Sequence, residues 1–240
     1  MKRLSLLVLL FAFSVSSCRY FGGERVVGDG NVVKQQKKVG SFSAIDVSGS
    51  IQLHISQDAA YSVTMETDNN LLEYLDIYND GEVLVVKSKD GFNLKPTEDI
   101  IVYVSAPSFT SIDVSGACAI FGDSRITGTN ALKISASGAS TISLDVDLPK
   151  LTTDVSGSSD IDLRGSVSDL VIQASGASKI SAMNLLTQNA DLDLSGASEV
   201  ELTATRAMKV EASGASNIRY RGDAAVTQSV SGAGSVTRVQ

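Results

Sequence analysis

Three kinds of residue in this sequence carry chemistry: cysteines at 18 and 118, a single histidine at 54, and carboxylates that recur at one place in a repeat. A zinc site takes four ligands, most often imidazole and thiolate. One His and one Cys beyond Cys18 are too few, so no metal site is expected. A Ser-His-Asp relay would have to use His54, yet no Gly-x-Ser-x-Gly elbow accompanies it. The position of His54 between Leu53 and Ile55 gives it the outward phase of a strand. No phosphate-cradling Gly-x-x-x-x-Gly-Lys loop and no dinucleotide fingerprint occurs. Neither a catalytic residue nor a cofactor is therefore assigned.

The carboxylates form a pattern of their own. Two residues before successive Ser-Gly dipeptides stand Asp46, Asp113, Asp154, Asp193 and Glu211, interrupted by Ser135, Gln173 and Ser229. Paired acids of this type hydrolyse polysaccharides in other β-helical proteins, and clustered acids bind divalent cations. Even repetition is the opposite of a localised site, and neutral residues relieve the repulsion of like charges at a strand spacing of about 4.8 Å. The expected role is a solvated face, with cation binding and glycan hydrolysis as the chemical alternatives. Three residues after each motif serine runs a second column, Cys118, Ser140, Ser159, Ser178, Ser198 and Ser216. Its hydroxyls are expected to satisfy one another and the backbone, with Cys118 a buried, inert thiol. With 6 Tyr, 7 Phe and no Trp, no aromatic platform for stacking sugars or bases is evident.

The elements that position these columns follow from the repeat. Ser-Gly occurs at 48–49, 115–116, 137–138, 156–157, 175–176, 195–196, 213–214 and 231–232. After a first gap of 67, the spacings are 22, 19, 19, 20, 18 and 18. Around each serine, apolar residues fall three and one before and five and seven after, which is strand, turn, strand. The inward set includes Ile112, Val114 and Ile120; Ile134, Ala136, Ile142 and Leu144; Val155, Ile161 and Leu163; and Leu192, Leu194, Val200 and Leu202. Glycine supplies the corner, and the Ala that follows in most repeats is expected to sit where the chain turns inward. A unit this short cannot bury its apolar face alone, whereas stacked coils share one core. The fold expected is all-β: a single-stranded parallel β-helix, right-handed by the general crossover preference, with coils of 18–22 residues. Propeller blades are about twice as long, and hairpin sandwiches want Asn-Gly or Asp-Gly turns.

The regular repeats fill 109–240, and residues 41–108 are a less regular β section. Phe42-Ser-Ala-Ile-Asp-Val-Ser-Gly49 is echoed by Phe109-Thr-Ser-Ile-Asp-Val-Ser-Gly116, so the motif begins twice. Strand-like runs at 61–66, 75–78, 82–87 and 100–105 lie between, with turn signals at Asn79-Asp-Gly81 and Asp90-Gly91. The gap is close to three or four coils, which implies irregular coils of the same solenoid or a small fused β-subdomain.

Residues 1–17 read as a signal peptide: Lys2 and Arg3, an apolar run from Leu4 to Phe13, then Val15-Ser-Ser-Cys18. The run is shorter than the roughly 20 residues a spanning helix needs. Aliphatic, small, small, Cys resembles the bacterial lipobox, which makes Cys18 the lipid attachment site and 18–40 a lipidated tether leading into a first strand. Acyl chains add about 0.8 kcal/mol of membrane affinity per buried methylene. Removing Lys2 and Arg3 takes the formal charge from −7 to −9, a balance that disfavours nucleic acid and anionic lipid as partners. About 220 residues remain for one or two domains, with no internal disulfide because only Cys118 is left.

The Phe-Ser-Ala-Ile-Asp-Val-Ser-Gly opening, the tandem Ser-Gly-Ala-Ser units and the lipobox together resemble the family described as putative auto-transporter adhesin, head GIN domain, from about Phe42 onward. The resemblance implies a β-helical lipoprotein of Bacteroidetes-like bacteria, and it brings no catalytic residues. The expectation is a membrane-anchored extracytoplasmic module with an adhesin-like role and a glycan or protein ligand. A structural component of the cell envelope is the first alternative, and a polysaccharide-acting enzyme the second. Arg19, in place of the aspartate that retains enteric lipoproteins in the inner membrane, favours the outer membrane. The Arg-Tyr-Phe-Gly-Gly tether has no acidic cluster of the surface-export type. Finally, Val230, Val236 and Val239, with Arg238 among them, are expected to leave an open strand edge at the C-terminal end, and hence homo-oligomers.

Overall fold

The computed structural model describes residues 23–240, and Cys18 and the leader lie outside them. The chain runs through β1 (Glu24–Val27), β2 (Val32–Lys37), β3 (Ala44–Gly49), β4 (Gln52–Gln57) and β5 (Ser62–Asp68). After a 3-10 turn at Asn69–Tyr74 come β6 (Leu75–Asp80), β7 (Val83–Ser88), β8 (Phe92–Lys95) and β9 (Ile101–Ala106). The repeats supply β10 (Ser111–Gly116), β11 (Ala119–Gly122), β12 (Ile126–Thr127) and β13 (Leu132–Ala136). Four long strands follow: β14 (Thr141–Val155), β15 (Asp160–Ala174), β16 (Lys179–Leu194) and β17 (Glu199–Ala212). The last are β18 (Asn217–Arg221), β19 (Ala225–Val230) and β20 (Ser235–Arg238).

From β10 onward every pairing is parallel and joins one coil to the next, as a solenoid requires. The period-two pattern is what seals it. Val102, Leu53, Ile120, Ile142, Ile161, Ile180, Val200 and Ile218 stand opposite one another on successive strands and are all fully buried. Each such side chain contributes about 1.5–3 kcal/mol relative to leaving it in water. All fourteen of the inward residues expected from the repeat are buried. Differences in coil length are absorbed by bulges between Ala182 and Leu186 and between Thr187 and Asn189, away from the Ser-Gly corner.

The corner itself explains the glycine. Gly176 has φ +92°, and its carbonyl accepts the N–H of Ala197 from the next coil at 2.8 Å. A Cβ on Gly176 would lie 2.5 Å from the carbonyl oxygen of Gly157, so no other residue fits. The alanine that follows the glycine faces outward and is exposed, contrary to expectation. It is the next position, the serine column, that turns into the core. The peptide between Gly and Ala is held by the inter-coil bond, so the chain bends inward one residue later.

The gap of 67 is not three or four coils. The chain makes β3 and β4, leaves them, and lays down one coil on their far side, with β7 along β3 and β9 along β4. It then returns so that β10 pairs with the other edge of β3, Ser111 opposite Ala44. The outer edges of that coil are covered by antiparallel strands: β5 on β9, β2 on β5, and β6 on β7. The β6–β7 hairpin turns at Gly81-Glu82, between paired Asp80 and Val83, with Gly81 at φ +59°. Alternation reads the same for parallel and antiparallel strands, so it did not distinguish a cap from further coils. The segment expected to be mostly tether is also folded from Glu24, with β1 paired to β8 and β2 closing the cap.

Asp68 latches this cap. Its buried carboxylate accepts hydrogen bonds from the N–H of Gly30 (2.8 Å), the N–H of Thr97 (2.8 Å) and the Thr97 hydroxyl (2.7 Å). Burial pushes the carboxyl up, and the bonds from Thr97 and Gly30 together outweigh it, so it sits below its ordinary value.

Candidate binding face

The outward side chains stand in columns as straight as the inward ones. Cross-strand register places Asp46, Asp113, Ser135, Asp154, Gln173, Asp193, Glu211 and Ser229 in one row. A shallow depression of about 270 Å³ runs over Asp46, Asp113 and Asp154. Partial burial raises the Asp46 carboxyl, the Asp113 charge adds to this, and Lys87 opposes it. Among the described residues no three His, Cys, Asp or Glu side chains converge on a point a cation would occupy. Each acid is carried by a different strand, and Glu211 is already paired with Lys209 at 2.7 Å.

The serine column is buried, but its hydroxyls bond to backbone rather than to one another. Ser198 and Ser216 donate to the carbonyls of Ser195 and Ser213 at 3.5 and 3.3 Å, and Ser140 reaches Gly116 and Ser137. The Ser159 hydroxyl has no partner among the described residues. Cys118 takes the same place, its thiol 3.4 Å from the Ser115 carbonyl, and burial pushes its pKa up, which leaves it protonated and inert.

A different column carries the feature that composition alone did not suggest. Tyr103 on β9, His54 on β4 and Phe121 on β11 are direct cross-strand neighbours, all facing outward. Their ring centroids are 5.2 and 5.4 Å apart, with interplanar angles of 33° and 38°. Lys34 lies 4.9 Å over the Tyr103 ring and 3.1 Å from Glu66, which accepts the Tyr103 hydroxyl at 2.8 Å. The Tyr103 bond and then Lys34 hold the Glu66 carboxyl below its usual range. No long aromatic run announces this row, because its three rings come from strands 49 and 67 residues apart in register. The signal that would have found it is the pairing of the two Ser-Ile-Asp-Val-Ser-Gly-type openings, which aligns His54 with Phe121.

His54 keeps its outward phase and gains two partners. Its Nδ1 lies 2.8 Å from Asp123 and its Nε2 lies 2.8 Å from the Gln52 amide nitrogen. Nδ1–H donating to the carboxylate and Nε2 accepting from the amide satisfies both. Asp beside His resembles two members of a hydrolytic triad, but the Gln52 amide occupies the position a nucleophilic hydroxyl would need.

At the far end of the solenoid, β19 pairs only with β17 and β20 only with β18 among the described residues. Val230 is 36% exposed, and Val226 and Val236 are half-buried against the last of the core. Arg238 pairs with Asp223. Cys18, the expected lipid attachment site, lies outside the described residues. No helix among those residues is long and apolar enough to cross a membrane.

The fold and its outward columns define a parallel β-solenoid closed at its N-terminal end and presenting one long, mainly polar sheet face. The chain belongs to the family described as "Putative auto-transporter adhesin, head GIN domain", whose model matches residues 41–224. Its fold is shared with a putative adhesin from Bacteroides fragilis, with a TM-score of 0.83 at 17% identity, over 89% of this chain and 100% of that one. A putative lipid binding protein from Parabacteroides distasonis matches at 0.71 and 20%, over 90% and 100% of the two chains. A putative adhesin from the same species matches at 0.70 and 23%, over the same shares. At these identities the likeness is one of fold. No curated protein matches the chain. The descriptions of the family and of these neighbours name adhesion or lipid binding, and none names an enzyme.

Proposed function

We propose that the chain is a membrane-anchored, extracytoplasmic binding module of adhesin type, tethered at the outer membrane through acylated Cys18. The observation that carries this reading is the outward face. Side chains from successive strands stand in register over a core that is already complete, so the surface is free for recognition without a cost to folding. The family description and the lipobox-like Val15-Ser-Ser-Cys18 support it. Fractionating cells that express the full chain or its Cys18→Ala variant tests the anchor. The variant is expected in the soluble fraction with its body folded, and an unchanged membrane fraction would refute lipidation. Protease shaving of intact cells and adhesion of the mature chain to glycan- and protein-coated surfaces test display and binding.

The exposed edge of β19 and β20 favours a second reading, in which coils of separate copies pair and the protein is an assembly component of the envelope. Sedimentation of the mature chain over a wide concentration range distinguishes the two: a strict monomer removes assembly.

A further inference from the structure

We infer that the open end of the aromatic row, together with the depression beside it, is a subsite for neutral saccharides; this deepens the binding-module reading and rests on it. Within the row, Tyr103 is covered by Lys34 on one side and His54 on the other. Phe121 is different. His54 lies against one side, but its neighbour on the other side is Ser143 of β14, which is too small to cover a ring. Phe121 is only half-buried, so part of its ring is open to solvent.

That surface is concave. A depression of about 360 Å³ starts at Ser143 and crosses β14, β15 and β16, lined by Thr141, Ser143, Asp160, Asp162, Lys179 and Ser181. Three strands at about 4.8 Å spacing give it a width of about 10 Å, and its volume is at the lower end of the range for small-ligand sites. Beyond Ser181 the next cross-strand neighbour is Glu201, paired with Arg219 at 2.9 Å. Small hydroxyl residues lie in the floor of the depression, and the cross-strand neighbours of its two edges are Phe121, opposite Ser143, and the paired Glu201, opposite Ser181.

Its polar groups are available. Asp160 and Lys179 are direct cross-strand neighbours, both exposed, and neither side chain makes a hydrogen bond or ion pair among the described residues. Asp162 is held by Arg164 at 2.6 Å and so is fixed in place. A carboxylate acceptor, an ammonium donor and the Thr141, Ser143 and Ser181 hydroxyls match the alternating donors and acceptors of sugar hydroxyls, while the Phe121 face matches the apolar C–H face of a pyranose. Asp160 is matched by Lys179 across the strands, Asp162 by Arg164 and, beside the depression, Asp145 by Arg125, so there is no excess of positive charge to select an anionic sugar. The occupant is a neutral hexose or N-acetylhexosamine chain of one or two residues in contact.

The chain from Arg19, which omits the lipid attachment residue Cys18, is titrated with neutral tetramers of β1,4-linked N-acetylglucosamine, β1,4-linked glucose, α1,4-linked glucose and β-linked galactose, and with a sulfated tetramer as the anionic control. Calorimetry measures affinity, and thermal melting checks the fold of each variant. At least one neutral tetramer is expected to bind saturably and more tightly than the sulfated one. Phe121→Ala is expected to weaken it about tenfold or more, by analogy with the loss of base stacking on alanine substitution. Ser143→Leu, which covers the ring face without opening a cavity, should do the same at unchanged melting temperature. Asp160→Asn should cost several-fold, and Tyr78→Ala, on the cap, nothing. Binding that survives both Phe121→Ala and Ser143→Leu overturns the subsite and leaves the binding-module reading standing. Preference for the sulfated tetramer, or no binding by any neutral one, overturns the saccharide assignment, and adhesion to protein-coated surfaces then decides the broader reading separately.

Discussion

The two ends of the solenoid solve the same problem differently. At the N-terminal end the outermost coil, β7 and β9, is covered by antiparallel β6 and β5, and β5 in turn by β2. At the other end β19 and β20 pair on one side only among the described residues. An antiparallel strand cannot be continued by another parallel coil of the same repeat, so the first end refuses growth. The second presents the same edge that every interior coil presents to its successor. The lesson is that strand direction and polarity act together: β5 keeps the alternation of the coils but runs the other way, and the outermost strand, β2, is polar and exposed.

Breaking the shared middle has the largest expected effect, because each coil is stable only through its neighbours. Leu194→Asp places a charge among stacked aliphatics and should cost about 4 kcal/mol or more, whereas the outward Asp193→Ala should be nearly neutral. Equal melting temperatures for the two would mean that the strand phase is wrong. Next, Gly176→Ala forces a Cβ against the Gly157 carbonyl at positive φ and should cost about 3 kcal/mol. The equivalent Gly232→Ala meets the Gly214 carbonyl in the same way but should cost less, because among the described residues that rung has a neighbour on one side only. Chemical denaturation of both variants compares interior with end directly.

Asp68→Ala, at about 2–3 kcal/mol, removes the acceptor shared by Gly30 and Thr97 and should loosen the cap alone. Hydrogen exchange should then rise in β2 and β5 while β14 to β17 stay protected, and uniform exchange would contradict a separable cap. The same latch has a pH signature. Its folded pKa is depressed, so its stabilisation is fully present above the ordinary 3.8 and is lost as pH falls below that value toward the folded pKa. The cap of Asp68→Asn should lack this acid-dependent step in a melting series from pH 5 to 2. Smallest in stability is Val236→Lys on the open edge, less than about 1 kcal/mol, but any self-association by sedimentation should fall with it.

The repeats were legible because two signals coincide in them. Period-two alternation assigned Ile161 and Leu163 inward, and the Ser-Gly spacing assigned which coil each belongs to. The acidic row followed from the same spacing. Between 41 and 108 only the first signal survives, and alternation does not report strand direction. The Asn79-Asp-Gly81 signal did fall on a hairpin, whose two-residue turn is Gly81-Glu82 with glycine at the first central position. The Tyr103–His54–Phe121 row was hidden for the same reason. The two echoed openings align His54 with Phe121, but Tyr103 joins them only once the β7–β9 coil is known to lie on the far side of β3 and β4.

The position of that row also has a mechanical consequence. Inter-coil hydrogen bonds run along the solenoid axis, so pulling the two ends apart would peel coils one at a time, each at low force. A load taken up at Phe121 and resisted at the N-terminal side follows a shorter route. It crosses from β11 to β4 to β9 and into the strands that latch on Asp68. The coils from β14 to β20 lie off that line of tension and would remain slack while the row is under strain.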